Sequence, residues 1–273
     1  GWRVPFWVSI IMVLVSYLIR QKMHESPVFQ KAKDEGKVSK NPLKESFGNK
    51  LNFKYVLLAL FGVVMGQGVV WYTGQFYAMS FLKTVMNVES QQVDTLLGVA
   101  LAVGAPFFVV FGWLSDKIGR KNIMLAGLLI AALSYRPIYR SMFATTDITK
   151  KTELLTTTKV EASAKQGKFG VDSVYVTTNN YSDGTLWKQE KTVHLDAKGK
   201  VMIVDGKERI DKKTSQTIPS NEKWYLTFLV FIQVIFVTMV YGPIAAFLVE
   251  MFPVQIRYTS MSLPYHIGNG IFG

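Results

Sequence analysis

Two groups of oppositely charged residues stand at the ends of long apolar stretches in this 273-residue chain. The first lies in the string GWLSDKIGRK at positions 112–121, where Asp116 and Arg120 are four residues apart. The second consists of Glu250 and Arg257. A carboxylate and a guanidinium at such spacings can form an ion pair at a helix end or across a turn. These residues therefore suit the making and breaking of charge pairs at the surface of an apolar layer.

The GWLSDKIGRK string also has the composition of a tight turn between two helices. Gly112 and Gly119 permit close approach of helices and positive φ angles, and Lys121 adds a cation beside the turn. Glu250 and Arg257 have a simpler alternative interpretation, which is an ordinary ion pair at a membrane interface with no moving part.

The sequence lacks the residue patterns of an enzyme. It contains no Cys and three His residues, of which His24 and His194 fall in polar segments and His266 in an apolar block. No set of His, Asp or Glu has metal-ligand spacing, no Gly-rich loop follows a strand, and no nucleophile motif is present. We therefore expect no catalytic residue, no bound metal and no cofactor.

The charged groups are separated by six apolar blocks that contain no Asp, Glu, Lys or Arg. A helix needs roughly 20 apolar residues to cross a hydrocarbon core of about 30 Å, so each block predicts a membrane span and the whole predicts an all-α polytopic membrane protein. The blocks are Pro5–Ile19, Tyr55–Leu82, Thr95–Leu114, Ile123–Tyr135, Trp224–Val249 and a last one that begins near Tyr258 and runs to Gly273. Since the chain starts and stops at such blocks without a signal-peptide pattern, we expect it to be a segment of a longer protein.

Composition and charge agree with this interpretation. A hydrophobic content of 49% excludes disorder, and the absence of Cys excludes a disulfide scaffold. The net charge of +12 is concentrated between apolar blocks, so we expect no nucleic-acid partner. Nine Lys or Arg and four acids lie between positions 20 and 54, which favours a cytoplasmic loop over the alternative, a patch that binds nucleic acid or anionic lipid.

A polar segment at positions 141–222, called the insertion below, separates the fourth and fifth blocks. Its apolar residues alternate, and three turn dipeptides divide it, which is the pattern of β-hairpins. The dipeptides are Asp183-Gly184, Lys198-Gly199 and Asp205-Gly206. Counting crossings from the cytoplasmic loop places this small β-rich insertion outside the cytoplasm.

Three strings together carry a family resemblance. GWLSDKIGRK resembles the signature between two helices of the major facilitator superfamily, and HESPVF at 24–29 resembles the element that follows the sixth helix in sugar-porter-like members. Glu250, with the Pro and Arg that follow it, resembles an element at the cytoplasmic end of the tenth helix. Further strings at 1–9, 66–78 and 257–270 are similar to the metabolite:proton symporter branch.

The resemblance implies a register and a domain plan. The six blocks correspond to helices six to eleven of a twelve-helix carrier in a bacterial cytoplasmic (inner) membrane. The plan is a sixth helix at 1–20, a central cytoplasmic loop at 21–54, helices seven to nine at 55–140, the extracytoplasmic insertion at 141–222, and helix ten with the start of eleven at 223–273.

It also implies roles for individual residues. Carriers of this kind alternate access around a site near the midplane, so Asp116, Arg120, Glu250 and Arg257 become a cytoplasmic gate. Blocks two to five hold no titratable carboxylate or His, so a coupling proton would use Glu250, His266 or a region outside the chain.

The analogy places the substrate cavity on the seventh and tenth helices. Six residues there become candidates for substrate binding: Gln67, Trp71, Tyr72, Gln75, Gln233 and Tyr241. Gln67, Trp71 and Gln75 share one helix face because they are four residues apart. Hydrogen bonding between helices is the alternative role for the Gln residues, and anchoring at the membrane interface is that for the aromatic ones. Gly62, Gly66, Gly74 and Gly98 fit close helix packing.

The functional expectation is a secondary active transporter, not an enzyme, that works as a monomer in contact with membrane lipid. Its partners are a small organic solute, such as an organic acid, a shikimate-like acid or a betaine or proline, and protons. The alternative is a receptor or sensor derived from a carrier that binds its ligand through the insertion.

Overall fold

The computed structural model of the protein describes residues 3–23, 26–36, 39–155, 159–166, 171–196, 199–204 and 207–272. Within these ranges the helices are α1 (Val4–Lys22), α2 (Pro27–Asp34), α3 (Pro42–Gly48), α4 (Lys50–Val85), α5 (Ser90–Ile118), α6 (Arg120–Thr146), α7 (Ser220–Met251) and α8 (Arg257–Phe272). The strands are β1 (Lys159–Gln166), β2 (Val171–Asn180), β3 (Leu186–Val193), β4 (Ile203–Val204), β5 (Lys207–Glu208) and β6 (Ile210–Thr217).

Four helices in the described part of the chain, α4 to α7, are long and apolar enough to cross a membrane. Helices α1 and α2, which meet at a 45° bend, together give a fifth candidate. The sixth predicted block corresponds to α8, of which the structure describes 16 residues. The prediction of a polytopic helical membrane protein is confirmed, since several apolar helices of spanning length follow one another.

Helix α6 is longer than the apolar block that predicts it. It continues through Arg136 and Pro137 to Thr146. Helix α7 likewise begins at Ser220, ahead of its apolar block. Residues 141–146 and 220–222, at the two edges of the insertion, are therefore helical.

Internal contacts divide the chain into two compact units. The first comprises Gly1–Ala59 and Leu248–His266. Within it, the buried hydroxyl of Ser46 lies 2.7 Å from that of Ser260, which joins α3 to α8. Ser26 caps the start of α2, because its side-chain oxygen accepts a hydrogen bond from the backbone N–H of Phe29, the third residue of the helix.

The second unit comprises Leu60–Phe247 and Ile267–Gly273, and α7 supplies much of its core. Leu226, Val230 and Val234 of this helix are fully buried. Helix α7 is apolar on all sides, as expected of a helix surrounded by others. It therefore holds a central position among the helices of this unit.

Helix α7 also makes a backbone contact with α5 at Gly242. A Cβ atom added to Gly242 would lie 3.0 Å from the carbonyl oxygen of Phe108 and 3.4 Å from the amide nitrogen of Gly112. Both atoms belong to the backbone of α5, so neither can move without a shift of the whole helix.

We expect Gly242→Ala to lower the free energy of unfolding by about 1–3 kcal/mol, because overpacked interiors respond with strain of that size. Thermal unfolding of the chain in detergent measures the loss. Gly98→Ala is the matched control, since a Cβ atom at Gly98 meets nothing within 4 Å. Equal melting temperatures for the two variants would contradict this packing.

The insertion forms a four-stranded antiparallel sheet in the order β1-β2-β3-β6, with β4 and β5 as a separate hairpin. Strands β2 and β3 are joined by the predicted turn at Asp183-Gly184, where Gly184 has a φ of +90°. Gly199 also has a positive φ, of +75°. Lys198 and the predicted turn at 205–206 lie outside the described residues. The expected β-rich content of the insertion is thus confirmed.

The sheet is attached to the ends of the helices through β6. The side-chain amide of the buried Gln216 donates hydrogen bonds to the backbone carbonyls of Met86 and Thr146. One residue beyond the strand, Ile218 and the side chain of Gln92 exchange two hydrogen bonds, of 2.9 and 3.0 Å. These bonds connect β6 to the segment after α4, to α5 and to the end of α6.

Candidate functional site

The turn between α5 and α6 brings Asp116 and Arg120 together. Nη2 and Nε of Arg120 donate to Oδ1 of Asp116, at 2.8 and 3.2 Å. Gly119, with a φ of +96°, ends α5 and permits α6 to start at the next residue. The side chain of Asp116 is 61% exposed, so the pair lies at the surface of its unit, where it can form and break at small cost.

The other residues of the turn signature have separate positions. Gly112 lies on α5 at the backbone contact with Gly242, and the buried Ser115 donates its hydroxyl hydrogen bond to the carbonyl of Gly112. Lys121 is exposed in the first turn of α6. Gly112 thus serves helix packing, while Gly119 serves the turn.

Glu250 and Arg257 lie in the first unit, on either side of the link between α7 and α8. Glu250 is exposed near the end of α7, and Arg257 is the first residue of α8. Nε of Arg257 donates to the carbonyl oxygen of Phe252 at 3.1 Å, which closes the link. The first two residues of the HESPVF string, at 24–25, lie outside the described residues.

In the second unit, two of the residues predicted to bind substrate meet at a contact between α4 and α7. The rings of Trp71 and Tyr241 have centroids 4.8 Å apart, and Phe108 of α5 contacts Tyr241 edge-on at 5.9 Å. Gly74 permits the approach, because a Cβ atom there would lie 3.2 Å from the side chain of Val237. The predicted pairing of these two helices thus has a direct aromatic contact.

Two predicted amides are buried without a full set of hydrogen bonds. Gln67 on α4 is 1% exposed and Gln233 on α7 is fully buried. Among the described residues, neither amide atom of Gln67 has a partner, nor does Oε1 of Gln233, whose Nε2 makes a long 3.4 Å bond to the carbonyl of Leu229. An unpartnered amide in an apolar surrounding costs free energy, which marks these two side chains as candidates for binding a solute or water.

The remaining candidates on α4 differ from each other. Gln75 is buried, in a π-helical stretch at Thr73–Tyr77. Tyr72 is 41% exposed and stacks on Phe76 of its own helix, with centroids 5.1 Å apart. Tyr72 is thus on a different face from the contact of Trp71 with α7.

Two tyrosines of α6, which sequence reasoning missed, support α4 next to these residues. The hydroxyl of Tyr135 donates to the carbonyl of Val70 at 3.2 Å, and that of Tyr139 donates to the carbonyl of Thr73 at 2.7 Å. Backbone carbonyls near a π-helical stretch lack regular partners, and such stretches are frequent at functional sites. The four-residue spacing of the tyrosines was a usable signal, but Tyr139 falls outside the apolar block.

A metal centre is not indicated by the described residues, because no group of three His, Asp or Glu is arranged to hold an ion. The second unit therefore holds a surface ion pair, Asp116 with Arg120, together with buried polar and aromatic groups on α4 and α7. The first unit holds Glu250 and Arg257 at the α7–α8 link.

Comparison with known proteins identifies relatives among membrane transporters. A family profile described as Major Facilitator Superfamily matches residues 1–148. A Staphylococcus aureus (strain MSSA476) protein named "Putative proline/betaine transporter" is 30% identical over 130 residues, or 46% of this chain and 27% of that protein. The "Proline/betaine transporter" of Escherichia coli K12 is 29% identical over 136 residues, again 46% of this chain and 27% of that protein.

The chain thus spans about a quarter of the length of these relatives. No solved structure matches it significantly. The profile covers more than half of the chain, including α1 and α4 to α6 and the complete GWLSDKIGRK turn. The chain, a multi-pass integral membrane protein, belongs to the major facilitator superfamily.

Proposed function

We propose that the chain is the part of a secondary active transporter that comprises helices six to eleven and that moves a small organic solute by alternating access. The observation that carries the proposal is the pair of buried amides with missing partners, Gln67 on α4 and Gln233 on α7. Polar groups at membrane depth are tolerated where they meet a solute or water. A transported solute would supply the missing hydrogen bonds.

Among organic acids, shikimate-like acids and betaine- or proline-like solutes, the names of the relatives favour the last class. The contact of Trp71 with Tyr241 supports this choice, because aromatic faces attract quaternary ammonium groups. The carboxylate of such a solute would accept hydrogen bonds from the side-chain amides. We place the protein, as a monomer, in a bacterial cytoplasmic membrane.

The cytoplasmic gate of this transporter uses Asp116 with Arg120, and Glu250 with Arg257. Its proton coupling uses Glu250, His266 or a group in another part of the full-length protein. The turn geometry supports the first pair, since an exposed ion pair breaks at small cost. A receptor function is the alternative. It is supported by the attachment of the insertion to a helix end through Gln216, since a ligand bound by the insertion could act on the helices through this contact.

Substrate binding through Gln233 gives a direct test. We expect Gln233→Leu, in the full-length protein in proteoliposomes, to raise the KM for labelled glycine betaine at least tenfold, since a lost hydrogen bond to a charged ligand is worth about 1.5–3 kcal/mol. Leucine keeps the volume and removes an unpartnered amide, so stability should be maintained. Gln91→Leu, at an exposed position on α5, is the control and should leave KM unchanged. An unaltered KM for Gln233→Leu would contradict the assignment.

The extracytoplasmic side of the insertion is testable because the chain has no Cys. We expect a Lys188→Cys variant, at an exposed position on β3, to react with a membrane-impermeant maleimide in intact cells. A Lys44→Cys variant, exposed on α3, should react only after the cells are permeabilised. The reverse pattern of labelling would place the insertion in the cytoplasm.

A further inference from the structure

His194 follows β3 and lies between carboxylates of the two neighbouring strands. Its Nδ1 is 2.9 Å from Oδ2 of Asp172 on β2, and its Nε2 is 2.9 Å from Oδ2 of Asp211 on β6. Strand β3 is paired with β2 on one side and with β6 on the other. One imidazole ring therefore links three strands of the sheet.

The number of protons in this arrangement is fixed by the chemistry of the groups. An ionised carboxylate only accepts hydrogen bonds, and a neutral imidazole carries a single N–H. Both short contacts can be hydrogen bonds only when both ring nitrogens are protonated, so the closed arrangement requires the imidazolium. We propose that the insertion contains a proton-binding site at His194 that, when occupied, clamps β2, β3 and β6 together.

The groups around His194 also favour the protonated ring. The hydrogen bond to Asp211 raises the pKa of His194, partial burial lowers it, and the hydrogen bond and charge of Asp172 raise it again, with a net increase. In the backbone register Lys165 of β1 is paired with Asp172, and the backbone carbonyl of Arg209 accepts the N–H of His194.

The two carboxylates differ in what happens when the proton leaves. The side chain of Asp172 is 10% exposed and its Oδ1 also accepts the backbone N–H of Leu195, whereas the side chain of Asp211 is 74% exposed. The neutral ring keeps its remaining N–H on the buried Asp172, because that carboxylate has little access to water. The unprotonated Nε2 then faces Asp211, which turns to solvent, and β6 is released from the clamp.

Release of β6 has consequences beyond the sheet. The strand begins next to Asp211 and reaches, at its other end, Gln216 with its bonds to the carbonyls of Met86 and Thr146. The clamp and the helix attachment are therefore on one strand. A raised histidine pKa gives stability that is present in acid and lost as the pH rises through the raised value. The link between His194 and β6 is therefore made at low pH and lost above that pKa, and β6 is then held by its pairing with β3 and by Gln216.

Titration of His194 in the full chain tests the site without any transport assay. With His24→Gln and His266→Gln, His194 is the single imidazole, and its ring resonances can be followed by NMR against pH in detergent. We expect a pKa above 6.5, protonation of both nitrogens below it, and a lower pKa in Asp211→Asn. Glu161→Gln on β1 is the control and should leave the value unchanged. A pKa at or below 6.5, or one that Asp211→Asn does not lower, overturns the proposal.

Hydrogen exchange measures the clamp itself. We expect the amides of β6 to lose protection, beyond the intrinsic acceleration of exchange, as the pH passes the pKa of His194, with β1 and β2 as internal reference. In His194→Gln this additional loss should be absent while the reference strands stay protected. Identical pH profiles of β6 in the two proteins would show that the ring does not hold the strand.

Discussion

Replacing Lys151 with Met is expected to lower the free energy of unfolding of the sheet by about 3–5 kcal/mol, the usual loss when one partner of a buried ion pair is removed. The side chain of Lys151 is 9% exposed, and its ammonium lies 2.7 Å from Asp183 and 2.8 Å from Glu222. It also donates to the hydroxyl of Thr185 at 2.8 Å. Without the cation, two partly buried carboxylates would face each other.

The pKa shifts of the two carboxylates determine how the stabilisation by Lys151 changes with pH. Burial raises the pKa of Asp183, but the hydrogen bonds from Lys151 and Thr185 outweigh it and lower the pKa to about 2. Stability from this pair is therefore present above the ordinary pKa and is lost as the pH falls towards 2. Burial raises the pKa of Glu222, against the opposing effect of Lys151. As the pH falls, Glu222 is therefore protonated before Asp183.

Thermal unfolding of the chain in detergent at neutral and acidic pH measures both aspects. The difference between Lys151→Met and the unaltered protein should be largest at pH 7 and small near pH 2. The neighbouring Lys150, whose side chain is 66% exposed, provides Lys150→Met as the matched control with little effect. Adding Glu222→Gln to Lys151→Met should restore part of the loss. A loss that does not depend on pH would contradict the ion-pair account.

Asp116→Asn is expected to reduce transport by the full-length protein at least tenfold while changing stability by less than about 0.5 kcal/mol, the value of an exposed pair four residues apart. The pair with Arg120 is too exposed to hold the fold together. Its expected importance lies in the cycle, because a gate that forms and breaks needs charges that pair again at each turnover. Initial rates of solute uptake and melting temperatures of the same preparations measure the two effects.

Helix α5 offers a matched control for this substitution. Asp94, near the start of the helix, is 60% exposed and forms an ion pair with Lys83 of α4. Asp94→Asn therefore removes a carboxylate of the same exposure from the same helix, outside the proposed gate. Equal loss of transport in Asp94→Asn and Asp116→Asn would mean that the turn has no special role.

The membrane spans were predictable because their physical signal is length without charge. Helix α6 exceeded its block because Arg136 and Pro137 interrupt the apolar pattern, while the helix continues with Arg136 exposed to the surroundings. Tyr139, beyond this break, donates to the carbonyl of Thr73. Composition alone therefore underestimates a helix whose last turns are anchored by side-chain hydrogen bonds to its neighbour.

Pairing between strands and helices that are distant in the chain was harder to predict from the sequence. Strands β1 and β6, with the sequences KVEASAKQ and IDKKTSQT, carry few apolar residues, and their conformation comes from pairing with β2 and β3. Of the glycines expected to pack closely, Gly66 and Gly74 do so, since an added Cβ atom would contact Leu128 and Val237 respectively. The expectation is wrong for Gly62 and Gly98, where an added Cβ atom meets nothing within 4 Å. Among the described glycines, Gly242 has the shortest distance from an added Cβ atom to a backbone atom, 3.0 Å to the carbonyl oxygen of Phe108. This contact depends on the register of α7 against α5, which the sequence does not show.

The candidate substrate residues were predicted by family analogy, and the structure adds their environment. Sequence spacing placed Gln67, Trp71 and Gln75 on one face, but it could not show which amides lack partners. The bond between His194 and two carboxylates was equally hidden, since Asp172 and Asp211 are distant in sequence and meet only when β2, β3 and β6 align.

Counterflow in proteoliposomes tests the central claim, transport by alternating access, most directly. Vesicles that contain the full-length protein are loaded with unlabelled glycine betaine, proline or shikimate and diluted into a trace of the labelled solute, with no ion gradient. We predict transient accumulation of label for at least one solute, and its loss in Asp116→Asn. Absence of accumulation for every solute, with retained binding of one of them measured by calorimetry, would contradict transport and indicate a receptor.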